Sequence, residues 1–411
     1  MHPTNLKEET CVATQYAHPG FHYDHRILSV CEIRALIPSR LFRRNTSRSV
    51  AFLIRDLIMV VALSIAVYTG DTTLISLECA TIQRYILRAC IWLFYWWFQG
   101  LIFTGIWVIG HECGHGSFSS SRGLSDLVGF LCHSALWTPY FSWKFSHQSH
   151  HRHHGSMEKD EHWIPRSRSE LGISVGPNID HVESYFDDTP IITVFRLLIQ
   201  QFLGFPAYLL MNASGQSKFP LWTSHFNPFS SSLFKRTQRN HVMASNFGIL
   251  LTGWIIYLWA SKLGPLHVLR LYGLPLIAAG HWVTMIVFLQ HTDPSLPHYR
   301  ENTWNFLLGA LSTMDRDFLG WQGRFFLHNI AHFHTVHHLF PTIPFYHAEE
   351  ATEIIKRALS HRYHSSSEPV FRCLWENFNS CQFVEDEDQV LYYKDGQGRN
   401  RILGKRLPFS D

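Results

Sequence analysis

Three clusters of histidine carry the chemistry available to this sequence. His334-Thr335-Val336-His337-His338 places imidazoles at i, i+3 and i+4, offsets that share one face of a helix. The same spacing occurs in His147-Gln148-Ser149-His150-His151, and His111-Glu112-Cys113-Gly114-His115 sets two more at i and i+4. Any single one of the 28 histidines is ordinarily a surface residue. Eight in three one-faced clusters point instead to metal, and their number suits two ions with four or five ligands each. Imidazole serves iron, zinc, copper and nickel alike, so ligand type does not choose among them. The first cluster also matches the zinc-protease pattern, in which two histidines bind zinc and Glu112 activates water. A catalytic zinc needs only three protein ligands, which leaves both H-x-x-H-H clusters without a purpose. Gly114 would also weaken the protease helix by up to about 1 kcal/mol. The protease is the weaker reading.

The elements that position the clusters are read from hydropathy. The chain has 411 residues, 46% of them hydrophobic, yet its mean hydropathy is −0.05, so the apolar residues are concentrated in segments. With 35 basic and 32 acidic residues, net charge is +3, which makes no electrostatic case for nucleic acid. The eight cysteines lack C-x-x-C spacing and read as free thiols facing a reducing compartment. Residues 1–48 read as a cytosolic arm without a signal peptide, in which His18-Pro19-Gly20 is a turn. Arg34, Arg40, Arg43, Arg44 and Arg48 flank the first apolar stretch and hold that end in the cytosol. Spans are expected at about 51–68, 89–109, 244–259 and 271–289, with a polar link over 71–88. Leu127–Phe141 is short and reads as re-entrant or interfacial. Ile191–Met211, broken by Arg196, Gln200, Gln201, Gly204 and Pro206, reads as interfacial. The expected fold is an all-α integral membrane protein: four transmembrane helices in two hairpins, interfacial helices, and a cytosolic helical cap. The membrane domain covers 49–360 and a C-terminal cytosolic tail 361–411. All three clusters then lie on one side.

A metal site beside lipid suggests a lipid substrate, and an acyl chain offers only unactivated C–H bonds, which O₂ activated at iron can attack. The chain resembles the microsomal oleate Δ12 desaturases of plants and fungi, within the membrane fatty-acid desaturase superfamily, from about Ile27 to about Glu385. The resemblance rests on Val108–His115, Pro139–His147, Gly155–Glu161, Phe288–Tyr299 and His337-His338-Leu339-Phe340. It implies a histidine-ligated, non-haem di-iron enzyme in the endoplasmic reticulum membrane with its site facing the cytosol. It also implies O₂ as oxidant, electrons from NADH through cytochrome b5 reductase and cytochrome b5, and a lipid-linked acyl substrate that gains a cis double bond. The implied ligands are His111, His115, His147, His150, His151, His334, His337 and His338. His291, at the end of an expected span, is the candidate ninth, with a hydrogen bond behind another ligand as its alternative role. Glu112, Asp160, Asp315 and Asp317 are candidates to orient the ligand imidazoles. His153, His154, His328 and His332 are close but off-pattern.

The chain also departs from the resemblance. His332-Phe333 stands where relatives read acid-Thr, and Gly280 where many carry asparagine. Changes beside the boxes redirect such enzymes to hydroxylation, epoxidation or triple-bond formation, so a related enzyme of specialised fungal metabolism is the alternative. An inactive paralogue would be expected to have lost a ligand, and all eight box histidines are present.

Overall fold

The computed structural model describes residues 28–77, 80–173 and 189–401. His18-Pro19-Gly20 lies outside them. The first helix, α1 (Val30–Leu36), opens with a capping box in which Ser29 and Glu32 bond reciprocally. Its Ile33, with Ile37 and Leu41, packs against Leu307, Val336, Leu339 and Ile355. The N-terminal arm is thereby fastened to the segment carrying the third histidine cluster.

Helix α2 (Thr46–Ser76) starts at Asn45, whose side chain accepts from the Arg48 N–H. Helix α3 (Thr81–His115) has 35 residues, roughly 52 Å at the usual rise, so it overruns the hydrocarbon core and carries the first cluster out of it. Both helices exceed their expected spans. Most of the polar link over 71–88 is helical, because Asp71 accepts from Arg88 at 2.6 and 3.0 Å and the two charges offset each other. The charges early in α2 are likewise matched. Buried Asp56 accepts from Arg55 and lies 2.7 Å from His328 Nε2, so the helix runs through them.

Helices α4 (Arg122–Ala135) and α5 (Tyr140–His153) form a V whose tip is Leu136–Pro139. At 14 residues each, neither is long enough to cross a bilayer. The V is tight because Gly129 lies under the Tyr140 ring, 2.3 Å from where a Cβ would be. It docks on α3 at Gly110, where His133 fills the space a side chain would need, its Nε2 3.0 Å from the Trp107 carbonyl. A Cβ at Gly110 would sit 2.2 Å from the His133 ring, which Trp107, Tyr140 and Trp143 hold in place. Gly110→Ala should therefore destabilise the protein by about 1–3 kcal/mol through overpacking, read as an earlier melt in detergent. An unchanged melt would mean the V can slide off α3 freely.

Helix α6 (Pro190–Met211) is unbroken despite Pro206, and it packs on α8 (Pro265–His291), which contains a π turn over Leu269–Gly273. Helix α7 (Arg239–Leu263) packs on α4 and α5 instead. Among the described residues, five helices (α2, α3, α6, α7 with its preceding turn, and α8) are long and apolar enough to cross a membrane, one more than expected. The extra one is α6. Its polar residues do not interrupt it: Gln201 is buried and Gln200 faces an internal cavity.

The remaining elements are short. Helices α9 (Phe306–Leu311), α10 (Trp321–Phe326), α11 (His334–Leu339), α12 (Phe345–Leu359) and α13 (Val370–Ser380) cover the end at which α3, α5 and α8 finish. Two small ladders tie them together: β1 (His298–Tyr299) runs antiparallel to β4 (Val390–Leu391), and β2 (Asp315–Arg316) parallel to β3 (Ser365–Ser366). The C-terminal segment is docked rather than loose. Val370, Cys373 and Leu374 of α13 enter the main core, and Asn377 donates to the Thr292 carbonyl just past α8.

Candidate metal centre

Four helix ends meet under this cap. His111 and His115 come from the last turns of α3, His147, His150 and His151 from α5, His291 from the end of α8, and His334, His337 and His338 from α11. Gly116, at φ 70°, terminates α3 with N–H bonds to the last carbonyls, so the chain turns away after His115. The end of α8 is fixed by buried Arg316, which donates to the Leu289 carbonyl and to Asp293 at 2.7 and 2.8 Å. Gln290 adds a bond to the Ile330 carbonyl.

The nine histidines, with His154 as a tenth, fall into two groups. His111, His115, His147, His151 and His337 form the first, their ligand atoms within 4.8 Å of one another. The second joins His291 with His334 and His338, and His291 again with His150 and His154. The nitrogen contacts explain what the groups can hold. His147 Nε2 lies 2.9 Å from His111 Nε2 and 3.1 Å from His151 Nε2. His334 Nε2 lies 3.2 Å from His291 Nε2 and 3.0 Å from His338 Nε2. One imidazole nitrogen offers either one proton or one lone pair, so it cannot make full hydrogen bonds to two facing nitrogens, and each trio is left with at least one contact poorly satisfied. A cation in each group removes that conflict. Burial pushes His337 down to about 3 and His147, His151, His334 and His338 well below the usual imidazole range, so these rings are neutral, as ligation requires. The donor set fits two metal ions.

The carboxylates expected to orient these rings divide. Glu112 lies 3.2 Å from His111 Nδ1 and 3.9 Å from His337 Nδ1, and accepts from Ser117 Oγ at 2.7 Å. Asp160 takes His150 Nδ1 at 3.0 Å and the His162 N–H at 3.0 Å. Burial alone would raise its carboxyl, but His150 and His154 hold it well below the usual carboxylate range. Asp315 touches no box imidazole among its described hydrogen bonds. It accepts from the N–H and hydroxyl of Thr335 and from Tyr363, so it anchors α11; burial pushes it up to about 6. Asp317 is half exposed and faces His332 and Arg324, away from both groups.

Two further histidines adjoin the groups: His154, set aside in the sequence as off-pattern, and His162, which sequence reasoning did not single out. His154 is buried, its ring centroid 4.4 Å from that of His291, with Nε2 donating to the Ser312 carbonyl and Nδ1 3.5 Å from Asp160. Its i+4 offset from His150 was the available signal. His162 carried no such signal; it packs on His150 and Tyr208 and borders the cavity beside the groups. His153, His328 and His332 stay outside, against Trp304, Asp56 and Asp317.

That cavity, about 260 Å³, is bordered by His111, His147, His150, His291 and His334 on one side and by Trp107, Phe205 and Val283 on another. A second cavity of about 450 Å³ shares those last three residues and lies between α6, α7 and α8. Its described lining is aliphatic and aromatic, without a charged or hydroxyl-bearing side chain.

The sequence matches the profile of the fatty acid desaturase family over residues 91–368. It is 39% identical to a Delta(12) fatty acid desaturase of Mortierella alpina, with 94% of this chain and 96% of the relative aligned. It is also 39% identical to an oleate hydroxylase of Claviceps purpurea (92% and 83% aligned) and 38% identical to a Delta(12)-oleate desaturase of Trichosanthes kirilowii (89% and 95%).

Proposed function

This chain belongs to the fatty acid desaturase family, and from that premise we propose that it places a cis double bond in a lipid-linked acyl chain, most simply converting oleoyl to linoleoyl. The observation that carries the proposal is the adjacency of two cavities, one bordered by both histidine groups and one lined by aliphatic and aromatic side chains, which share Trp107, Phe205 and Val283. It offers an acyl chain a path past the metal positions. A pair of iron ions bound there would supply the O₂-dependent oxidation that removes hydrogens from adjacent methylenes, with electrons delivered from NADH through cytochrome b5. His111, His115, His147, His151 and His337 would hold one ion, and His150, His291, His334 and His338 the other. Glu112 and Asp160 fix the rings of His111 and His150 from behind, setting which nitrogen faces inward. Trp107, Phe205 and Val283, which border both cavities, would grip the chain between them and exclude water from the reacting carbons.

The topology follows from parity. The three boxes meet in one cluster, so an even number of crossings separates the second from the third. If α7 and α8 both cross, α6 lies along the membrane instead of spanning it. This supports four spans in two hairpins, with the site on the cytosolic face of the endoplasmic reticulum. The zinc-protease reading gains nothing here, because Glu112 hydrogen-bonds behind a histidine and Ser117 instead of facing a water position.

A second reading has a specific basis: the oleate hydroxylase relative has the same 39% identity to this chain as the first desaturase. Expression in a yeast without polyunsaturated lipids, with mass spectrometry of the fatty acids, tests both. Linoleate is expected. A hydroxylated acid would move the assignment to the hydroxylase, and no new lipid despite stable expression would end both.

A further inference from the structure

Most glycines in the packed helices have an evident cause. A Cβ at Gly100 would lie 2.6 Å from Ala278, and one at Gly248 2.4 Å from Ser134. Gly280 has no such cause. It sits inside α8, and nothing lies within 4 Å of where its Cβ would be. Mid-helix glycine is disfavoured against alanine, so a position without a packing reason asks for another.

The space beside it is the second cavity. Gly280 lies on its wall together with Ile249, Leu276 and Phe226. It precedes His291 by eleven residues of α8, roughly 16 Å along the axis, so this space lies well beyond the metal positions. The two cavities differ in chemistry. The first carries Gln200, Tyr208 and Ser214 besides its histidines, whereas the described lining of the second has no charged or hydroxyl-bearing side chain. The ester end of a lipid-linked chain needs polar surroundings, so the hydrocarbon end is the part the second cavity suits.

We propose that Gly280 is a specificity-determining residue whose missing side chain makes room for the methyl end of the acyl chain beyond the reacting carbons. The proposal rests on the desaturase reading. Adding a side chain there should shorten the acceptable chain without touching any histidine.

The test is a graded series, Gly280→Ala, Gly280→Val, Gly280→Leu and Gly280→Phe, in yeast fed monounsaturated acids of sixteen, eighteen and twenty carbons. Leu250→Phe is the control: Leu250 is 72% exposed, on the outer side of α7 next to the lining residue Ile249. Protein abundance is measured in parallel. The control should keep the wild-type product profile, and Gly280→Ala should already lower conversion of the longest acid slightly, as the smallest step of the series. The Leu and Phe variants should lower conversion of the longest acid relative to the shortest by about tenfold, the scale of one or two methylenes refused by an apolar pocket. Gly280→Val should fall between and carries the test if the bulkier variants do not accumulate. Equal loss at every chain length, or no change in any accumulating variant, would overturn the inference while leaving the desaturase reading intact. Failure of the wild-type enzyme to form any product would instead remove that reading and the inference with it.

Discussion

Changing His337 to alanine is expected to end product formation and to lower bound iron from about two ions per chain toward one. His337 is the one residue of α11 in the first histidine group, and its ring lies 4.6 Å from His111, 4.7 Å from His115 and 4.6 Å from His151. Without it, that group keeps only nitrogens from α3 and α5, while the second group keeps His334 and His338. Loss of a ligand should exceed the roughly 10–100-fold that loss of a supporting partner costs. His153→Ala makes the comparison, since His153 sits outside both groups against Trp304. Metal analysis and turnover on the purified protein check both. Wild-type iron content in the His337 variant would show that it is not a ligand.

The second large effect is expected at Asp160. Its carboxylate is buried and holds His150 Nδ1 at 3.0 Å, so it dictates that Nε2 faces the second group. Asp160→Asn preserves the shape and an oxygen for the His162 N–H, but it removes the charge that strengthens the bond to His150. Metal affinity should fall about 10–100-fold, with activity partly restored by added iron. A variant that loses activity but binds iron as tightly as wild type would show that Asp160 supports the fold and not the metal. The analogous change at Asp317 should do little, because that side chain faces His332 and Arg324 at the surface.

How much of this was legible in the sequence depends on the range of the interaction. The i, i+3, i+4 spacing identified which imidazoles share a helical face, because that follows from the local 3.6-residue period. His291 was legible from its place at the end of an apolar run. The lengths of α2 and α3 were not, because Asp71 and Arg88 read as a polar break until their pairing across 17 residues is seen. Gln200 and Gln201 made α6 read as interrupted for the same reason: whether a polar side chain breaks a helix depends on what it meets. Asp160, Asp315 and Asp317 looked equivalent in sequence. One holds a ring, one anchors a helix and one faces solvent, and only long-range packing separates them.

The sequence by itself determined that three histidine clusters exist, that each presents one face, and that apolar segments flank them. Those are matters of residue type and local period. Only the tertiary structure decided how the clusters are shared between two groups. Neighbouring helical residues point about 100° apart, so His150 and His151 turn to different groups, as do His337 and His338. Each group is therefore assembled from several boxes, and no box forms a site alone. That division depends on the angles at which α3, α5, α8 and α11 meet, which packing at positions such as Gly110 and Arg316 sets and no local pattern records.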